Sequence, residues 1–139
     1  MVCLSGILNN FFEQALNRAI GAVVAGLLLG LAFPAWGQLW LLPFAFLPLY
    51  WALYRTETLF ESFRLGFIFG FIFYLVHAYW FYSFAPPVLF LVLAALGVYL
   101  GGWTLVGSYF NDSIFIYTAG WIGLEWLLEW GLFGQYYVA

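Results

Sequence analysis

Long apolar runs separated by short breaks set the pattern of this chain. The runs lie at 19–33, 39–54, 65–84, 88–110 and 114–133. The breaks are Pro34-Ala35-Trp36-Gly37-Gln38, the charged stretch 55–64, Ala85-Pro86-Pro87 and Asn111-Asp112-Ser113. A helix needs about 20 apolar residues to cross a bilayer. The pattern therefore predicts five spans at about 16–33, 39–54, 65–84, 88–110 and 114–133. The first run is short, so its span is extended back to Leu16 with Arg18 snorkelling. Residues 1–18 read as an N-terminal interfacial helix, with Ile7, Phe11 and Leu16 toward lipid and Glu13 and Arg18 toward water. The transmembrane helical region then covers 19–139. Pro43 and Pro48 imply a second span that is kinked or starts late, because proline removes a backbone donor. Gly26 and Gly30 form a GxxxG that allows close helix approach in ordinary packing. Ser113 is placed to cap the last helix. The expected fold is all-α, a polytopic membrane helix bundle of about five transmembrane helices.

Composition narrows the class. The chain has 139 residues, 67% apolar and only 6% charged, whereas a soluble domain carries about 25% charged residues. A water-facing surface cannot be built from it. There is no Lys and no basic patch, which excludes nucleic acid as a partner. Cys3 is the one cysteine and His77 the one histidine, so neither an internal disulfide nor a Cys-rich metal site is expected. No cofactor or metal is expected. The N-terminus lacks a basic region and a small-residue cleavage site, unlike a signal peptide.

The arginines give an orientation. Arg18 precedes the first span, and Arg55 and Arg64 lie between the second and third. With five spans all three fall on one side, which marks that side as cytoplasmic. Counting from that side puts His77, Glu125 and Glu129 in the outer half of the bilayer, at the height of Tyr79, Trp80 and Tyr82. Trp121, Glu125 and Glu129 are four apart and share one helix face. A carboxylate inside a span costs on the order of 2.5–3.5 kcal/mol and marks a candidate functional site. Two roles stay open for Glu125: a buried acid bonded to a neighbouring helix, or an ordering group at the mouth of a lipid site. Glu129 reads equally as an acid facing headgroup water, and His77 as a packing histidine. Trp80, Tyr82, Trp126 and Trp130 fit an interfacial aromatic belt.

Three stretches carry a family resemblance: LGLAFPAWGQLWLLPFAFLPL at 29–49, GFIFGFIFYLVHAYWFYSF at 66–84 and YTAGWIGLEWLLEWGLFG at 117–134. Together they resemble the N-terminal membrane region of bacterial apolipoprotein N-acyltransferases. The matching motif residues are Trp80, Tyr82 and Ser83, then Trp121, Glu125, Trp126, Leu127 and Trp130. Departures are Leu128, where the family usually has Arg, and Glu129, where it has a small residue. The resemblance implies a multi-pass protein of the bacterial inner membrane with a cytoplasmic N-terminus. It implies a phospholipid acyl donor and a lipoprotein substrate as partners, besides membrane lipids. The motif residues Glu125, Trp121, Trp126, Trp80 and Tyr82 are implied to support the lipid or substrate site, and His77 and Glu129 join them as candidates by their counted height in the bilayer.

In that family, acyl transfer is carried by a Glu-Lys-Cys triad in a nitrilase-like domain. This chain has no Lys and only Cys3, so it assigns no catalytic residue of its own. The expectation is a fragment that supplies anchoring and lipid access rather than the chemistry. Two readings compete: a non-enzymatic subunit of a larger membrane complex, including one associated with a pigment or quinone, and a small transporter using Glu125 and Glu129. No internal repeat supports transport.

Overall fold

The structure is a computed structural model that describes residues 2–33, 37–54, 56–77, 79, 86–110 and 113–127. Among these residues the chain forms five α-helices and one 3₁₀ turn. The helices are α1 (Val2–Ala32), α2 (Leu42–Leu53), α3 (Leu59–His77), α4 (Pro86–Tyr109) and α5 (Ile114–Leu127), with the 3₁₀ turn at Leu39–Leu41 before α2. The chain is an all-α bundle. The segments Glu13–Ala32, Leu59–His77 and Pro87–Tyr109 are long and apolar enough to cross a membrane.

α1 is one unbroken helix of 31 residues, about 46 Å long at 1.5 Å per residue. The expected interfacial segment and first span are thus continuous, with no break near Arg18. α1 ends where Gly37 takes a left-handed φ of 69° and its N–H bonds the Phe33 carbonyl at 3.2 Å. Only glycine adopts that φ without strain.

α2 is shorter than the expected 39–54 run. Pro43 sits at the start of the helix, where a missing N–H costs nothing. α3 starts at Leu59, earlier than the expected 65 and inside the charged stretch 55–64 read as a break. The reason is an N-cap at Thr58. The Glu61 N–H donates to Thr58 Oγ1 at 3.2 Å, and the Glu61 carboxylate accepts from the Glu57 N–H at 3.4 Å. Glu61 also pairs with Arg18 at 2.7 Å, tying the start of α3 to α1.

α3 is the centre of the bundle, packed between α1 and α4, while α2 lies on α1 and α5 on α4. Close approach rests on three Gly-x-x-x-Gly pairs. A Cβ at Gly26 or Gly30 of α1 would lie 2.7 Å from the Phe69 carbonyl or from Val76 of α3. On the far side of α3, a Cβ at Gly70 would sit 2.9 Å from Leu100. Gly97 and Gly101 of α4 in turn lie against the rings of Phe67 and Phe63. Small residues admit van der Waals contact between helix backbones, the force that remains when lipid tails are as apolar as leucine. The core between these contacts is Leu29, Leu49, Leu65, Phe69, Phe73 and Leu100, all almost fully buried.

Candidate functional site

Trp121 of α5 is the hub of an aromatic cluster. Its ring centroid lies 5.1 Å from Phe46 of α2 and 5.4 Å from Trp103 of α4. Phe69 and Phe73 of α3 are each 6.4 Å away. All four contacts are edge-to-face, the arrangement that the ring quadrupoles favour. Residues from four helices therefore converge here, two of them from α3.

Two side chains clasp α5 to α4. The Trp103 indole N–H donates to the Tyr117 carbonyl at 3.0 Å, and the Tyr99 hydroxyl donates to the Leu124 carbonyl at 3.0 Å. These bonds fix which face of α5 turns inward. Glu125, one turn beyond Trp121, then lies within electrostatic reach of Tyr74 on α3 and Tyr99 on α4. Trp121 and Glu125 lie one turn apart on α5, Trp121 half-buried in the aromatic cluster and Glu125 exposed beside it.

His77 closes α3 and takes a different neighbour. Its ring packs edge-on to Phe33 of α1 at 5.0 Å and stacks with Phe73 at 5.8 Å. Its Nδ1 is buried and has no hydrogen-bond partner among the described residues. Phe73 links the two groups, since it also touches Tyr74 at 4.6 Å and Trp121. Trp126 is 62% exposed on the outside of the bundle. Trp80, Tyr82 and Glu129 lie outside the described residues. Among those described, no group of three metal-ligating side chains comes together.

Beside Trp121 lies an apolar groove of about 260 Å³. α2 forms one wall with Pro43, Phe46 and Tyr50, and α5 the other with Tyr117, Trp121 and Ile122. It exceeds the roughly 150 Å³ cavity that holds a benzene ring. The groove follows α2 from Pro43 to Leu53, about 15 Å along the helix axis. Such a channel suits a flexible hydrocarbon chain rather than a polar solute.

The end of the groove near Tyr117 rests on a chain of hydroxyls. Ser108 Oγ donates to Ser62 Oγ at 2.7 Å, and Thr56 Oγ1 donates to the Leu53 carbonyl at 3.1 Å. Each hydroxyl has one proton, so the remaining two links are set. Tyr117 donates to Ser108 at 2.9 Å, and Ser62 donates to Thr56 at 2.7 Å. Ser62 is fully buried and ties the α2–α3 loop to α3, α4 and α5. Sequence reasoning missed this chain, the groove, and Tyr74 and Tyr99. The glycine pairs at 66–70 and 97–101 were a readable signal for the α3–α4 contact that holds Ser62 against α4.

No curated protein and no solved structure matches the chain. A family profile described as the apolipoprotein N-acyltransferase N-terminal domain matches residues 25–139. The match covers α2 to α5 and the part of α1 from Ala25 onward, and therefore Trp121, Glu125 and both walls of the groove. The chain belongs to the apolipoprotein N-acyltransferase N-terminal domain family.

Proposed function

We propose that this chain is the lipid-admitting membrane part of an N-acyltransferase that acylates lipoproteins. The observation that carries the reading is the apolar groove between α2 and α5, lined by Trp121. In this reading a phospholipid tail enters the groove sideways from the bilayer. Trp121 and Phe46 hold it by apolar contact. Glu125, beside Tyr74 and Tyr99, orders the polar end above it. Acyl transfer itself is nucleophilic catalysis by a thiol, supplied by a catalytic domain of the family type and not by these helices.

The proposed setting is a bacterial inner membrane with the N-terminus in the cytoplasm. Support comes from Arg18 and Glu61 meeting at one end of the bundle, with Arg64 exposed in the second turn of α3 at that same end. Arg55, the third arginine of the orientation argument, lies outside the described residues. That end carries the basic residues, as a cytoplasmic face does.

The test is a chimera in which residues 25–139 replace the corresponding region of a complete N-acyltransferase. The expected result is acyl transfer to a lipoprotein. Ile122→Trp, which fills the groove, should slow transfer while leaving membrane insertion intact. A chimera that inserts and folds but transfers nothing would overturn the proposal, and so would full activity in Ile122→Trp.

A further inference from the structure

We infer that Tyr117 and Leu53 form a rigid stop at one end of the groove between α2 and α5, and that this stop measures the length of the tail admitted. The inference rests on the lipid-admitting reading and names the residues that set its selectivity.

The two ends of the groove differ. Toward Pro43, the lining residues Leu47 and Ile122 are 60% and 64% exposed, so that end is open to the bilayer. At the other end, the lining residues Leu53 and Tyr117 are 1% and 6% exposed. None of the residues lining the groove is charged. A hydrocarbon tail entering from the open end therefore displaces no ion from water, and it runs down to a wall.

That wall is pinned from every side. The Tyr117 ring lies so close over Gly107 that a Cβ there would overlap it. The ring also packs edge-on to Trp103 at 5.6 Å and to Tyr50 at 6.4 Å. The Tyr117 carbonyl accepts from the Trp103 indole N–H. Its hydroxyl opens the chain that runs through Ser108, Ser62 and Thr56. The last bond of that chain falls on the carbonyl of Leu53, the other residue of the stop.

The hydroxyl chain thus straps the two walls of the groove together at the closed end. α2 packs mainly on α1 and α5 mainly on α4, so their own contact does not set the spacing. Shifting Tyr117 to let a tail pass would break a buried hydrogen-bond chain, and a buried hydroxyl that loses its partner is costly.

The distance to the stop gives a length. From Pro43 to Leu53 the groove follows α2 for about 15 Å. An extended alkyl chain advances about 1.25 Å per carbon, from C–C bonds of about 1.52 Å and near-tetrahedral angles, so roughly 12 carbons fill the groove. A shorter tail leaves the stop uncovered. A longer one must fold back into the bilayer.

The experiment places the whole chain in nanodiscs of one fixed lipid composition. Traces of phosphatidylglycerol carry a diazirine at the methyl end of one saturated tail, and that tail is lengthened stepwise. Mass spectrometry maps the labelled residues. The label should move from Phe46 and Trp121 to Tyr117 and Leu53 as the tail in the groove approaches roughly 12 carbons, and should go no deeper with longer tails. Thr118 is exposed, lines the groove one turn from Ile114, and lies outside the hydroxyl chain. Thr118→Phe should halt the label at Trp121, shortening the usable groove by about 6 Å, the rise of four helical residues. In the chimera, the same substitution should lower transfer from long-tailed relative to short-tailed donors by about tenfold, the discrimination an apolar pocket exerts. Label on Ser108 or Thr56 with longer tails would overturn the inference, because the wall would then yield. An unchanged stop in Thr118→Phe, or an unchanged donor ratio in the chimera, would overturn it too. Label scattered along the groove whatever the tail length would remove the measuring role and leave lipid admission standing. No groove label at any length would sink the lipid-admitting reading as well.

Discussion

Arg18 and Glu61, 43 residues apart, meet at 2.7 Å with only 15% and 17% of their side chains exposed. Partial burial separates this pair from surface ion pairs, which contribute little. Removing one partner leaves the other charge desolvated and alone. Arg18→Gln or Glu61→Gln should each destabilise the protein by about 1.5–3 kcal/mol, the worth of a charge-assisted hydrogen bond. Glu61→Gln should cost more than Arg18→Gln, because the Glu61 carboxylate also accepts from the Glu57 N–H at the start of α3. A double-mutant cycle by thermal unfolding in detergent measures the coupling. Additive losses would show that the two side chains do not interact.

The glycines separate into two classes with opposite signs. A Cβ at Gly70 would press on Leu100 at 2.9 Å, whereas one at Gly102 meets nothing within 4 Å. Gly102→Ala should therefore raise helix stability by up to about 1 kcal/mol. Gly70→Ala should lower it by forcing α3 and α4 apart, with a cost of about 1–3 kcal/mol typical of overpacking. Melting temperatures of the two variants should move in opposite directions.

Two tryptophans five residues apart should differ as sharply. Trp121 touches Phe46, Trp103, Phe69 and Phe73, while Trp126 is 62% exposed. Trp121→Ala opens a cavity in the aromatic cluster and should cost about 3–5 kcal/mol. Trp126→Ala should stay within about 0.5 kcal/mol in detergent. Comparable losses at both sites would contradict the assigned facing of α5.

Tyr117→Phe removes the first donor of the hydroxyl chain and leaves Ser108 Oγ without it. A loss of about 1 kcal/mol is expected. Ser62→Ala should cost more, since Ser62 Oγ both accepts from Ser108 and donates to Thr56. Unfolding in detergent ranks the two. Equal stability of Ser62→Ala and the parent would exclude a structural role for the chain of bonds.

Glu125→Gln keeps the size and hydrogen-bonding capacity of the side chain beside Tyr74 and Tyr99. Glu125→Lys puts an ammonium within the apolar helix α5, at a cost of about 2.5–3.5 kcal/mol on insertion scales. Membrane fractions should hold near-normal amounts of Glu125→Gln and much less Glu125→Lys. Equal amounts would argue that Glu125 faces water.

The long helices were legible because α3 and α4 are nearly uniform in hydropathy, and a length criterion needs no knowledge of neighbours. The onset of α3 was misread because Glu57, Glu61 and Arg64 outweighed a capping signal that was present in Thr58-Leu59-Phe60-Glu61. Charge density argued for a loop, yet the Glu61 charge is consumed locally by Arg18 and a backbone N–H. The shared face of Trp121 and Glu125 followed from helix periodicity alone. Which helices that face meets did not, because facing is set by the Trp103 and Tyr99 clasps from α4. The Ser62 network was illegible for the same reason: its hydroxyls come from the α2–α3 loop, α3, α4 and α5. Small polar residues in an apolar chain reveal their partners only in three dimensions.

The brevity of α2 has a consequence for the bilayer itself. Its 12 residues and the three of the preceding 3₁₀ turn extend about 24 Å, against a hydrocarbon thickness of about 30 Å. On the expectation that α2 crosses the bilayer, lipids around it compress to meet it, at a fraction of a kcal/mol per Å of mismatch. Those same lipids border the groove. A tail that slips between α2 and α5 relieves the compression of its neighbours, so hydrophobic mismatch and groove entry are thermodynamically linked. Occupancy of the groove, read by a photoreactive acyl chain crosslinking to Phe46 or Ile122, should rise as the host bilayer is made thicker.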